Sequence, residues 1–181
     1  PLPHAAPPFG SPAELEAMTR PEGPLALRAT PLEDHRRTVG GAALVQERLS
    51  FSSRVTVAHG ASNEAVTFGY RHGPWGARPL LLVVPGQYLI DIAHVPMGWI
   101  VDAALERGAD VLLYVPPYHL DRTPPGSESG DAVLSTALDD QLAALAQELA
   151  DVRALAAWMR GTGARKVVLA GASLGGTMVL R

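Results

Sequence analysis

The pentapeptide Gly171-Ala172-Ser173-Leu174-Gly175 is the part of this sequence whose residue types and spacing best suit a chemical step. A serine hydroxyl is a weak nucleophile unless the backbone exposes it, a base takes its proton and hydrogen-bond donors await the oxyanion. A strand that turns into a helix within a few residues supplies the exposure, and the crowding this causes favours glycine on either side of the serine. Here Gly171 and Gly175 bracket Ser173, Gly176 adds clearance, and the apolar run Val167-Val168-Leu169-Ala170 leads straight into the turn. Ser173 is the candidate catalytic nucleophile. The helix that follows would set its positive end beneath it.

An oxyanion hole needs two donors: the N–H of the residue after the nucleophile, here Leu174, and one from the loop after an earlier strand. Pro85-Gly86-Gln87-Tyr88 follows such a strand, with Gly86 permitting close backbone approach. Gln87 N–H is the first choice for the second donor and Tyr88 the alternative. A phosphate-binding reading fails on chemistry. Gly171 and Gly176 have the spacing of a P-loop and Thr177 follows, but the lysine that must precede the hydroxyl residue is missing. A general base is harder to find. His4, His35, His59, His72, His94 and His119 all precede Ser173. His119 follows a strand end and could reach the same rim, where it and Tyr118 would shape a pocket, but it reads better as a surface or loop histidine than as the base.

The elements that must position these residues follow from hydrophobic patterning. Residues 79–84, 111–115 and 166–170 are short, nearly continuous apolar runs, as expected of parallel strands buried on both faces. Between them lie two helical stretches. Residues 95–107 stop at Gly108, and from Leu138 to Met159 leucines and other apolar residues recur every three or four positions. Thr136 and Asp139 offer that second helix a capping box, and Gly161 and Gly163 end it. Ahead of these, residues 48–57 and 64–71 alternate in the manner of a β-hairpin around Gly60-Ala61-Ser62-Asn63. The order is hairpin, then strand–helix–strand–helix–strand, which predicts an α/β class: a mostly parallel, doubly wound sheet with an antiparallel hairpin at its start. Ligands on such sheets sit at the carboxyl ends of the strands, where Gly86-Gln87 and Ser173 both fall.

Two segments depart from this regularity. Residues 1–44 form a proline-rich arm, with one short helix expected over 12–20, and residues 45–181 form the core. The arm contains one PxxP, Pro21 to Pro24, that an SH3-type partner could read, although an irregular arm accounts for it better. Residues 116–135 form a long proline- and glycine-rich loop of the kind that is usually functional or mobile. In bulk, the 181 residues are 47% hydrophobic and 18% charged with net charge −3. That composition suits a globular domain and carries no nucleic-acid footprint. No apolar run is long enough to span a bilayer, and no secretory leader is apparent. With no cysteine there is no disulfide or thiolate site, and the compartment stays open.

At these residues the chain resembles the α/β-hydrolase superfamily. Gly171 to Gly175 match its nucleophile elbow, and Pro85-Gly86-Gln87 stand where the family commonly has His-Gly-x. The resemblance covers about residues 45–181. Pro116-Pro117-Tyr118-His119, the loop through Ser129-Gly130 and the long helix resemble more narrowly a group of poorly characterised α/β-hydrolase-domain proteins, which brings no substrate with it. The resemblance implies a serine hydrolase acting through an acyl-enzyme on a carboxylic ester, thioester or amide, with a small-molecule acyl substrate and no metal or organic cofactor. Acyl transfer and a non-catalytic binding or scaffolding module are the rival readings. The family's triad runs Ser, then Asp or Glu, then His, but the eight residues after Ser173 contain neither acid nor histidine. The chain is therefore expected to be an N-terminal portion, with acid and histidine supplied by a second chain or by further residues. A buried strand at 166–170 would otherwise be left as an unpaired sheet edge.

Overall fold

The computed structural model describes residues 9–32, 38–39, 41–86, 98–135 and 137–180. Helix α1 (Pro12–Thr19) starts where its local chemistry dictates. Ser11 caps it by accepting from Glu14 N at 3.2 Å, and Pro12 occupies the first turn, where its missing N–H costs nothing. Arg153 then ties α1 down, pairing with Glu16 at 2.8 Å and donating to Thr19 Oγ1 at 2.7 Å. The PxxP that follows is not a polyproline helix, because Gly23 between the prolines has φ 71°.

Strand β1 (Arg28–Pro31) is the arm's contribution to the sheet, pairing antiparallel with β4 (Val45–Ser52). Proline content hid it, since proline is tolerated only at edges such as this one. Between them, β2 (Thr38–Val39) and β3 (Ala42–Ala43) make a small separate ladder. Strand β4 pairs antiparallel with β5 (Glu64–Arg71). The alternation expected through residue 57 ends as strand at Ser52. Beyond it Val55 and Val57 remain buried, packed beside Ala146 and Ala144, while Asn63 brackets Val57 by accepting from its N and donating to its O.

The three apolar runs are strands β6 (Leu80–Val84), β7 (Asp110–Val115) and β8 (Val167–Gly171), with α2 (Gly98–Glu106) between the first pair. Helices α3 (Asp131–Ser135) and α4 (Leu138–Gly161) lie between the second pair, and α5 (Leu174–Val179) follows β8. The sheet is mixed and six-stranded, in the order β1-β4-β5-β7-β6-β8, with β7, β6 and β8 mutually parallel. Val101 and Leu105 of α2 bury against Val83, Val111 and Leu113 on one face. Leu149, Val152, Leu155 and Met159 of α4 bury against Leu82, Leu112 and Tyr114 on the other. The chain thus leaves β6 over one face to reach β7, then returns over the opposite face to β8. Helices α2 and α5, which come after β6 and β8, pack on opposite faces of the sheet, an arrangement in which ligands sit at the strands' carboxyl ends.

Two details differ from the sequence-based expectation. Strand β8 is half-buried rather than buried, with Val168 38% exposed, because among the described residues it holds the sheet edge and pairs with β6 alone. The N-cap of α4 is Ala137, without a side-chain cap bond, and Thr136 lies outside the described residues. Asp139 and Asp140 in its first turn still suit the helix dipole.

Candidate functional site

Ser173 stands at the carboxyl end of β8. It is exposed, forms the N-cap of α5 and holds φ 52°, ψ −122°, a conformation that L-residues rarely adopt. Tight sterics surround it. A Cβ on Gly171 would lie 2.2 Å from Gly175 O, and one on Gly175 would lie 2.2 Å from Val84 O. Neither glycine has positive φ, so what each supplies is space. Ala172 N donates to Val84 O at 3.2 Å, stitching the turn to the end of β6. Gly86 completes the approach, since its added Cβ would sit 2.9 Å from Ser173 Cβ and 3.5 Å from Ser173 Oγ. The hydroxyl is therefore held on a strained bend against the β6 loop. Leu174, whose N–H is the first expected oxyanion donor, opens α5. Gln87 and Tyr88 lie outside the described residues.

The structure does not bring His119 and Tyr118 to an open rim. His119 is buried in the turn after β7, and its Nδ1 lies 2.8 Å from Pro117 O. A carbonyl only accepts, so Nδ1 carries the proton, and burial holds the ring's pKa below its usual value and keeps it neutral. Of the expectation of a surface or loop histidine, the loop position holds and the exposure is corrected: the loop folds back over His119, and Gly130 presses on Nε2 with no room for a Cβ. Tyr118 is also buried, edge-on to His59, and burial pushes its hydroxyl up to about 12. Of the other described histidines, His72 sits at the opposite end of β7, 3.1 Å from Asp110.

The loop over residues 116–135 is clamped by a group that the sequence did not single out. Arg122 is fully buried. It donates to Tyr114 Oη and Val115 O at 2.9 Å, to Gln147 Oε1 at 3.0 Å and to Ser62 O at 2.6 Å, and pairs with Asp151 at 3.1 Å. Asp151 also accepts from Ser53 and Tyr114. The available signal was in the α4 pattern, where Gln147, Glu148 and Asp151 interrupt the apolar face beside Leu149 and Val152. Two carboxylates facing one guanidinium leave an imbalance. Burial, reinforced by Asp151 and opposed by Arg122, pushes Glu148 up to about 8.

Folded protein therefore keeps the Glu148 proton up to about pH 8, while the unfolded chain releases it near the ordinary value of 4.5. The unfolded state binds fewer protons across that window, so stability falls as pH rises through it. Glu148→Gln should flatten this slope and be the more stable form at pH 8, by on the order of 3 kcal/mol. Denaturant melts at pH 5 and pH 8 measure it, and equal slopes in both proteins would refute it.

A cleft of about 770 Å³ lies elsewhere, between residues 19–25 and the Ala154–Trp158 side of α4, and does not include Ser173. Among the described residues no cluster could hold a metal ion, and no helix is long and apolar enough to cross a membrane.

No protein-family model matches the sequence, and no curated protein is significantly similar to it. Solved structures are. One is a Bacteroides fragilis protein assigned as an acetyl xylan esterase, 15% identical with TM-score 0.62 over 92% of this chain and 46% of that one. Another is the acetyl xylan esterase of Paenibacillus sp. R4, 14% identical with TM-score 0.57 over 93% of this chain and 52% of that one. The chain spans about half the length of these structures. At such identities the likeness is one of architecture alone: the chain shares with these structures an α/β-hydrolase-type fold, a mixed sheet with helices packed on it.

Proposed function

We propose that the protein is a serine hydrolase that cleaves a carboxylic ester, thioester or amide through an acyl-enzyme on Ser173. The observation that carries this is the exposed Ser173 at φ 52°, held between glycines that admit no side chain. Strain of about 1–3 kcal/mol persists only where surroundings over-determine it, and it clusters where a hydroxyl must be presented. Ser173 Oγ attacks the carbonyl carbon as a base takes its proton. Leu174 N–H and Gln87 N–H stabilise the resulting oxyanion, collapse expels the alcohol, thiol or amine as the base returns the proton to it, and water then cleaves the acyl-enzyme to release the acid and free Ser173. Both solved structures are named as esterases, which supports an ester among the three classes.

The base and its acid partner come, in this reading, from outside this chain: among the described histidines His119 is buried, His72 stands at the far end of the sheet and His59 packs edge-on against Tyr118. The free side of β8, with Val168 38% exposed, is where a further strand of the same protein or of a second chain would pair.

Labelling the whole protein with a fluorophosphonate tests the assignment. Mass spectrometry should place the adduct on Ser173, and equal labelling of Ser173→Ala would overturn it. Gly86→Ala forces a methyl against Ser173 Cβ at 2.9 Å. Misplacing the hydroxyl by a fraction of an ångström should lower the labelling rate about ten- to a hundredfold with little change in melting. An unchanged rate would show that the β6 loop does not abut the reacting atom.

A further inference from the structure

Helix α4 has two faces of unequal bulk. Leu149, Val152, Leu155 and Met159 fill the core. Ala150, Ala154, Ala157 and Gly161, spaced by four, three and four residues, line instead the cleft of about 770 Å³ that separates α4 from residues 19–25. Small side chains leave open here what leucines would have closed. The opposite wall is held in place. Arg54 donates to Arg20 O at 2.9 Å and to Glu22 Oε1 at 2.7 Å, Gly23 turns the arm with φ 71°, and Arg153 donates to Thr19 Oγ1. Trp158 lines the cleft with Leu25, its ring set edge-on to Trp75 at 5.7 Å. A cleft of this size with fixed walls and an aromatic lining is of the kind that takes small molecules.

The charges around the cleft do not cancel. Arg20, Glu22, Arg54 and Asp151 line it. Asp151 is met by the buried Arg122 at 3.1 Å, and Glu22 by Arg54 at 2.7 Å. Arg20 is exposed and, among the described residues, forms no ion pair. One unmatched guanidinium beside an apolar lining suits an organic anion, whose body would lie on Trp158 and Leu25 while its carboxylate meets Arg20. A cation in the same place would meet a like charge. We infer that this cleft is a binding site for a small organic monoanion with an aromatic or branched apolar body. It is separate from Ser173, which does not line it, and the inference requires no reaction and so does not rest on the hydrolase reading.

Calorimetric titration of the whole protein with naphthoate provides the test, with naphthylmethylammonium as a cation built on the same ring system. Naphthoate should bind with Kd on the order of 100 μM, as a ligand of that size allows. The ammonium should bind about tenfold more weakly, because it exchanges one attraction for one repulsion, each worth a few-fold. Arg20→Gln should weaken naphthoate about fivefold and remove most of its advantage over the ammonium. Ala157→Leu keeps a good helix former but fills the cleft, and should weaken naphthoate by more than about tenfold. Neither variant should melt much below wild type, since Arg20 serves the fold through its backbone carbonyl and Ala157 faces the cleft. No binding at about 1 mM naphthoate, an ammonium bound as tightly as naphthoate, or an affinity unchanged in either variant would overturn the inference. Should Ala157→Leu fail to fold, Arg20→Gln and the comparison of the two charges decide.

Discussion

Ser173→Ala is expected to lower turnover of an activated ester by roughly a millionfold, because removing a nucleophile costs about as much as removing the whole catalytic set. Its companion, Ser173→Gly, should be equally inactive yet more stable than Ser173→Ala. Residue 173 holds φ 52°, ψ −122°. Alanine inherits the strain of that conformation, at about 1–3 kcal/mol, whereas glycine does not. Glycine's greater freedom in the unfolded chain returns about 0.5–1 kcal/mol of this, leaving a net gain of about 1 kcal/mol, or a few degrees in Tm. The pair separates chemistry from backbone strain. Turnover in Ser173→Ala within about tenfold of wild type would remove the serine from the mechanism. A glycine variant that melts no higher than the alanine variant would show that the bend is relaxed.

The second large effect concerns Arg122→Met. Methionine fills much of the space but leaves Asp151 buried without its cation, and orphaning one member of a buried pair costs about 3–5 kcal/mol. The loss should shrink at lower pH. With Arg122 gone, burial, the largest influence on the Asp151 carboxyl, is opposed only by its hydrogen bonds from Ser53 and Tyr114, so the group holds its proton more tightly than in wild type. The variant's deficit relative to wild type should thus be smaller at pH 5 than at pH 8. Removing both charges, as Arg122→Met with Asp151→Leu, should recover much of the stability, since a buried pair replaced by apolar groups is often nearly neutral. Urea melts of the single and double variants at both pH values provide the check. A double variant no better than Arg122→Met would show that the other hydrogen bonds of the guanidinium, to Ser62, Val115 and Gln147, dominate.

The two predictions draw on parts of the molecule that were unequally visible in the sequence. Ser173 could be found because its neighbours in the chain say where it is: the four-residue apolar run Val167–Ala170, a glycine, and a second glycine two residues after the serine. Arg122 could not. Its partners are residues 53, 62, 114, 115, 147 and 151, and no periodicity relates those numbers. An arginine in a proline-rich loop ordinarily points to water, and only the folded chain shows that this one is surrounded. His119 was misread for the same reason, since the contact that covers it comes from Gly130 across the loop.

What the sequence determined by itself is what contiguous residues control. Strands β6, β7 and β8, the α4 helix and the crowded turn at Ser173 follow from local hydrophobic period and from backbone sterics, both properties of a few adjacent residues. Tertiary structure alone decided that β6 lies between β7 and β8, that the arm supplies an edge strand, and that the 116–135 loop is locked by a buried guanidinium. Each of these depends on which distant surfaces meet, and the free energy of burial takes no account of separation along the chain.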